Sequence, residues 1–270
     1  MNTLEQKNPG IVWLLSVTVL LILTGCAQVP LPVPCPPLGH QEIGRIVSVF
    51  RQQETAVHTL FSSGGMTLKG QGSESEATVL IVATRNPPKI KVEITHPWGR
   101  PLLHILINGS SLDILSFSEK RVYSGKLGNL PLSKLIPVPL SPELLWTLSR
   151  AYPALLSHYR VISQKGNQIT LLDRRGDQIQ VIDLYPDSGL PQSVSFCKQN
   201  AIMSFSDFQS SNGILFAGKT GLDAPRDGAS LALDIRQMVF NKPVPEEIFR
   251  LQTPRDFEVV PLAGNGRERD

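Results

Sequence analysis

Between about Leu60 and Ser124, apolar side chains recur at every second position, and the same period returns between Gln168 and Phe240. A period of two cannot bury one apolar face of a helix, whose apolar residues recur three and four apart; it belongs to strands with one covered face. Lys89-Ile90-Lys91-Val92-Glu93-Ile94-Thr95 states the rule most clearly, with charge on one side and β-branched residues on the other. Further strands are expected around Met66–Gly70, over Thr78–Thr84, Pro101–Asn108, Leu112–Ser116 and Arg121–Ser124. A second set covers Gln168–Asp173, Gln178–Tyr185, Gln192–Cys197, Ala201–Phe208, Ile214–Gly218 and Ser230–Phe240. Short turns join them: His96-Pro97-Trp98-Gly99-Arg100, Asn108-Gly109, Gly176-Asp177 and Asp187-Ser188-Gly189.

Two segments break this period. His40 to Val57 sets Ile43, Ile46, Val47, Phe50 and Val57 on one face of a helix, with Gln41, Glu42, Arg45, Arg51, Gln52 and Glu54 largely opposite. Within the interruption at 125–157, Ser141 suits an N-cap and Pro142 the first helical position, so a helix is expected over 141–151. Leu144, Leu145 and Leu148 form its apolar side and Trp146 lies off it. Pro243 to Phe249 reads as a short terminal helix or turn, and the polar tail 263–270 lies outside the domain. The expected fold is mainly β with α: about ten or eleven antiparallel strands in one sheet. A sheet of that size curls, and its apolar face needs a lid that two amphipathic segments can supply.

The N-terminus reads as processing sequence. Lys7 is the only basic residue ahead of a charge-free run from Ile11 to Leu23. That run is shorter than the roughly 20 residues a spanning helix needs, and it has the length of a signal-peptide core. Leu23-Thr24-Gly25-Cys26 follows and resembles the lipobox of bacterial lipoproteins. The resemblance implies a signal peptide over 1–25 and Cys26 as the lipidated first residue, carrying acyl groups such as palmitate. Ala27, rather than Asp, after the cysteine implies sorting to the outer membrane by the rule of diderm bacteria. Residues 27–39, AQVPLPVPCPPLG, hold five prolines and read as a semi-rigid tether. The domain then spans 40–262. Cys35 and Cys197 are the remaining cysteines; in an oxidising compartment they either pair or stand as two thiols, and both options stay open.

At this point the order of elements resembles a known family. The first helix, the meander, the turn His96–Gly99, the insert Ile136-Pro137-Val138-Pro139-Leu140-Ser141 before a helix, and the late strand Leu231–Asn241 followed by Pro243-Val244-Pro245 and Phe249 look like the LolA/LolB fold. The resemblance covers roughly residues 40–255. It implies an incomplete β-barrel closed by helices that holds the acyl chains of lipoproteins. LolA is soluble and LolB is a lipoprotein, so the lipobox points to the LolB-like branch; other lipoproteins of similar fold fit the same motifs. LolB carries an Asn-Pro-Leu-Gly turn whose Leu protrudes and assists delivery into the membrane. The corresponding residue here is Trp98, a membrane-contact candidate, because an indole combines an apolar body with one polar N–H; the alternative is a Trp folded back over the sheet rim. In LolA an Arg on a strand holds the lid closed. Arg85 lies nearest in order, but its context does not match and the role is not carried over.

The strand faces supply the candidate lipid cavity: Leu80, Val82, Ile90, Val92, Ile94, Leu103, Ile105, Ile114, Ile179, Val181, Leu231, Leu233 and Ile235, with Leu144 and Leu148 from the second helix. An ordinary packed core uses the same residues. A chain of about 14 methylenes leaving water gains on the order of 11 kcal/mol, at about 0.8 kcal/mol each, so no polar recognition is needed.

Other classes of function are poorly served. The net charge of +3 is too mild for nucleic acid, and no Lys/Arg cluster stands out. His40, His58, His96, His104 and His158 sit in no metal-binding or nucleophile motif, and there is no GxSxG, P-loop or GxGxxG. The expectation is a non-enzyme without cofactor or metal: an outer-membrane protein anchored by lipid on the periplasmic face, binding acyl chains and aiding lipoprotein localisation. Its expected partners are the bilayer and a periplasmic LolA-like carrier. The alternative is an envelope scaffold lipoprotein with a closed cavity.

Overall fold

A computed structural model describes residues 36–70, 72–127, 141–226 and 228–262. The signal segment, Cys26, Cys35 and the polar tail lie outside the described residues. The chain opens with helix α1 (His40–Thr55), followed by the meander β1 (Thr59–Gly70), β2 (Ser73–Thr84), β3 (Lys89–Thr95), β4 (Pro101–Asn108), β5 (Ser111–Ser116) and β6 (Arg121–Lys126). Helix α2 (Pro142–Arg150) precedes a second meander: β7 (Arg160–Ile162), β8 (Gln168–Leu172), β9 (Gln178–Leu184), β10 (Pro191–Phe196), β11 (Ala201–Ser211), β12 (Ile214–Ala224) and β13 (Ala229–Phe240). A 3₁₀ turn at Glu246–Phe249 and β14 (Glu258–Pro261) end it.

All fourteen strands form one sheet in the order β14-β6-β5-β4-β3-β2-β1-β13-β12-β11-β10-β9-β8-β7. The sheet curls without closing into a barrel. Its centre is the pairing of β1 with β13, which joins the two meanders side by side. The count exceeds the expected ten or eleven, and the sheet is not wholly antiparallel, because β14 pairs with β6 in parallel. Both overlooked strands are edges. β7 has three residues, too few to show a period, and β14 exists only because the C-terminal segment crosses the sheet to reach β6. Curling needs irregularities, and one lies at the central pair. The register of β1 and β13 shifts between Ser63 and Gly64, and a Cβ on Gly64 would overlap the carbonyl oxygen of Asp234. Glycine is required there by close backbone approach.

Both helices follow from their sequences, with sharper limits. α1 stops at Thr55, two residues short of the expected end, yet Val57 is still fully buried. In α2, Ser141 Oγ accepts from the N–H of Leu144 at 3.2 Å, Pro142 starts the first turn, and Glu143 and Arg150 complement the helix dipole. The helix ends where Ala151 adopts φ +53°.

The apolar run Thr78–Ala83 is explained by burial on both faces. Val79, Ile81 and Ala83 enter the main core. Val82 packs with Leu106 and Phe249 in a second, smaller cluster on the outer face, under the C-terminal segment. Lys89 is buried beside that cluster, its ammonium 5.7 Å from the Phe249 ring centroid and paired with Glu246.

Candidate functional site

Cross-strand partners share a face of the sheet, so the register identifies the inner, curled side. Val79 pairs with Ile94, Ile81 with Val92 and Ala83 with Ile90. On the other half, Ile182, Val194, Met203, Leu222 and Leu231 form one row through successive pairs. On this side, beneath α2, lies an apolar cavity of about 170 Å³. Strands β1 to β4 and β13 supply its walls, and Leu145, Leu148 and Ser149 of α2 supply its roof.

Of the residues expected to line a cavity, Val92, Ile94, Leu103, Ile105, Leu148, Leu231 and Leu233 come together here. Ile90, Ile114, Leu144 and Ile235 are buried in the surrounding core and do not reach the open space. Leu80 and Val82 are a correction. Their partners are Glu93 and Lys91, so they face outward into a separate hollow of about 430 Å³ with Phe61, Val239, Val244 and Ile248. Val181 also lies away from the cavity, opposite in alternation to the inner Ile182, and is half-buried. Ile179 is the extra residue of a bulge against β8 and packs in the core. Sequence reasoning missed Met66, Leu68, Ala77, Val79, Ile81, Leu102, Ile107 and Leu145 as lining residues. The face of β2 was illegible because its run is apolar at every position, which removes the alternation that tells one side from the other.

Trp98 projects from the β3–β4 turn and is 91% exposed. The turn is closed by Gly99 N–H donating to the carbonyl of His96 at 2.7 Å, with Gly99 at φ +84°, a conformation that suits glycine. The Trp98 ring leans on His96, centroids 4.9 Å apart, rather than on the sheet. Ile94, Leu102 and Leu103, all cavity residues, lie just before and just after this turn. The exposed indole and one end of the apolar cavity are therefore close neighbours in the chain.

Two arginines tie the C-terminal end of α1 to its surroundings, one following β2 and one at the end of α2. The Arg85 guanidinium, which follows β2, donates to the carbonyl of Glu54 and pairs with its carboxylate at 2.7 Å. Arg150, fully buried at the end of α2, donates to the carbonyl of Gln53 and stacks over Tyr152 at 4.7 Å. Burial lowers Arg150 to about 10, with Tyr152 and Glu54 opposing the drop and Arg85 adding to it. Burial also raises the Tyr152 hydroxyl to about 12. Both arginines grip the negative end of the α1 dipole. Neither role was readable beforehand, because both arginines reach backbone carbonyls distant in sequence, and the carboxylate that Arg85 also engages lies 31 positions away.

Cys197 follows β10 as an exposed residue, and partial desolvation raises its thiol above the ordinary value. No group of three His, Cys, Asp or Glu able to hold a metal occurs among the described residues. Among them no helix is long and apolar enough to cross a membrane.

No protein-family model matches this sequence, and no curated protein matches it either. Solved structures do match. A DUF1329 family protein from Desulfovibrio piger gives a TM-score of 0.54 at 14% identity, covering 76% of this chain and 95% of that one. A putative outer membrane lipoprotein-sorting protein domain from Vibrio parahaemolyticus gives 0.50 at 14% identity, covering 76% and 94%. A LolA superfamily protein from Nitrosomonas europaea gives 0.46 at 15% identity, covering 76% and 97%. At such identities the likeness to the DUF1329 protein and to the lipoprotein-sorting domain is one of fold.

Proposed function

We propose that this chain is a lipid-anchored envelope protein that takes acyl chains of lipoproteins, or of other lipids, into the space between its curled sheet and α2. The observation that carries this reading is the apolar cavity under a short helix, with an exposed Trp98 on the turn that joins two of its wall strands. In this reading Cys26 holds the protein at the periplasmic face of the outer membrane, and Trp98 enters the bilayer interface where cargo is passed on. Likeness of fold to a putative lipoprotein-sorting domain supports it. Binding is driven by burial of methylenes, so the protein works without catalysis, cofactor or nucleotide, and cargo arrives from a soluble carrier of similar fold.

The size of the cavity sets a condition. About 170 Å³ is close to the roughly 150 Å³ of an engineered apolar cavity that holds benzene. A chain of about 14 methylenes needs far more room, and its burial is worth on the order of 11 kcal/mol. In this reading α2 moves off the sheet to admit the chain, and the acyl methylenes replace the apolar contacts that α2 gives up. The same small volume favours a second reading, an envelope scaffold whose cavity stays shut.

Mass spectrometry of lipids extracted from the purified full chain separates the two readings. Acyl lipid in near-stoichiometric amount is the expected result; lipid-free protein that also fails to bind a fluorescent 16-carbon acyl probe would leave only the scaffold. The mass of the N-terminal peptide tests Cys26, which is expected to carry a diacylglycerol and an amide-linked acyl chain. Depletion in cells tests the localisation role. Other lipoproteins should then accumulate away from the outer membrane, and undisturbed sorting would remove that role while leaving lipid binding intact.

A further inference from the structure

Among the described residues, five buried side-chain atoms have no hydrogen-bond partner in the protein: Trp146 Nε1, Arg150 Nε, Arg150 Nη1, Gln199 Oε1 and Thr220 Oγ1. Three of the five belong to α2, a helix of nine residues. Buried donors are normally satisfied, and one left unpaired costs the full desolvation of its N–H. That cost falls on the element that roofs the cavity, and falls on it only in its closed position.

The charge balance points the same way. The cluster beneath the end of α1 contains two guanidinium groups, Arg85 and Arg150, and one carboxylate, Glu54. Glu54 is already engaged by Arg85 at 2.7 Å. Arg150 is thus left with one carbonyl, that of Gln53, and the face of Tyr152. A guanidinium presents five N–H donors, and water can satisfy all of them when the group is exposed. Replacing a buried ionic cluster by apolar side chains of similar volume is often neutral or stabilising. Retaining it here sacrifices stability at one place, and that place adjoins Leu148 and Ser149 in the cavity roof.

We propose that α2 is held shut under strain: Trp146 and Arg150 lower the cost of opening, because both gain water when α2 leaves the sheet. Leu144, Leu145 and Leu148 supply the opposing force through apolar burial. An entering acyl chain replaces those apolar contacts but supplies no acceptor for the three donors, so it favours the open roof. Trp146 and Arg150 are positioning residues for the lid, acting on access and not on the cargo itself. This inference rests on the acyl-binding reading for its purpose, but its physical content is readable without any lipid.

Amide hydrogen exchange over residues 143–150 of the full chain tests it, alongside thermal unfolding. Trp146→Phe is the cleanest variant, since it removes an unpaired donor and breaks no hydrogen bond. It should slow exchange of these amides by about tenfold, the factor for one donor no longer stranded, and raise Tm by about 2–4 °C. Arg150→Met should act in the same direction, by less, because it also strips the Gln53 carbonyl of its donor. Arg150→Lys buries a more strongly hydrated charge with poorer reach, and should speed exchange and acyl-probe uptake together. Unchanged or faster exchange in Trp146→Phe, or the same direction of change in Arg150→Met and Arg150→Lys, would overturn the proposal. If the wild-type chain takes up no acyl probe, the lipid-binding reading fails while the exchange results still decide the strain in α2.

Discussion

The two helices sit over the same sheet but are built to different standards. The side chains of α1 itself are matched at its C-terminal end. Arg85 pairs with Glu54, Gln53 Oε1 accepts from Leu215 N–H at 2.9 Å, and Asn241 spans the exit of the helix. Its amide donates to the carbonyl of Ala56 at 2.7 Å and its oxygen accepts from the N–H of His58 at 2.8 Å. α2 is shorter, carries one capping bond from Ser141, and leaves three donors unpaired. Both bury apolar side chains, so hydrophobic burial does not distinguish them. Polar satisfaction does, and it separates a fixed element from one poised to move.

If that contrast is real, mutations in the two helices should fail differently. Arg85→Ala should have the largest effect. It leaves a partly buried Glu54 carboxylate and its carbonyl without a donor, and should cost about 2–3 kcal/mol of global stability in urea unfolding, with the slope unchanged. Asn241→Ala removes two hydrogen bonds at the exit of α1 and should cost about 1–2 kcal/mol, again globally. Ser141→Ala should remove about 1 kcal/mol from closed α2: its amides should exchange roughly fivefold faster, and global stability should fall by a similar amount. Asn241→Ala should leave exchange of the α2 amides unchanged, and faster exchange there would erase the distinction between the helices.

The smallest expected effect is a control on the outer face. Burial holds His104, stacked edge-on against Phe117, below the ordinary imidazole value of 6.5; Glu93 opposes the shift and Lys91 adds to it. The folded protein therefore resists protonation, and the unfolded chain takes up the proton first as pH falls through 6.5. Stability present above that value is lost on acidification. His104→Gln should flatten the dependence of Tm on pH below about 6.5, without altering exchange in α2.

Much of the architecture was legible before any coordinates. The strict alternation of Lys89–Thr95 matches β3 residue for residue, and Pro101–Asn108 matches β4. The Ser141-Pro142 start of α2 was readable from capping chemistry alone. These succeed because period and caps are local. The candidate site was half legible. Val92 and Ile94 could be placed on the cavity side by alternation, whereas Leu80 and Val82 could not be kept off it, since Thr78–Ala83 is apolar on both faces. The outer cover over Val82 comes from Phe249, more than 160 positions later in the chain.

What the sequence by itself determined is the class of the molecule: a large, mainly antiparallel sheet, curled for want of another way to bury one face, with two amphipathic helices to cover it. The residues of the Trp98 turn were also set locally, by Pro97 and Gly99. Tertiary structure alone decided which apolar face encloses space, how little space there is, and which helix carries unpaired donors. Those properties depend on the bulge at Gly64, on strands β7 and β14 that have no period of their own, and on arginines that reach backbone carbonyls far along the chain. A backbone carbonyl has no side-chain identity, so no pattern of residue types can announce where it will be bound.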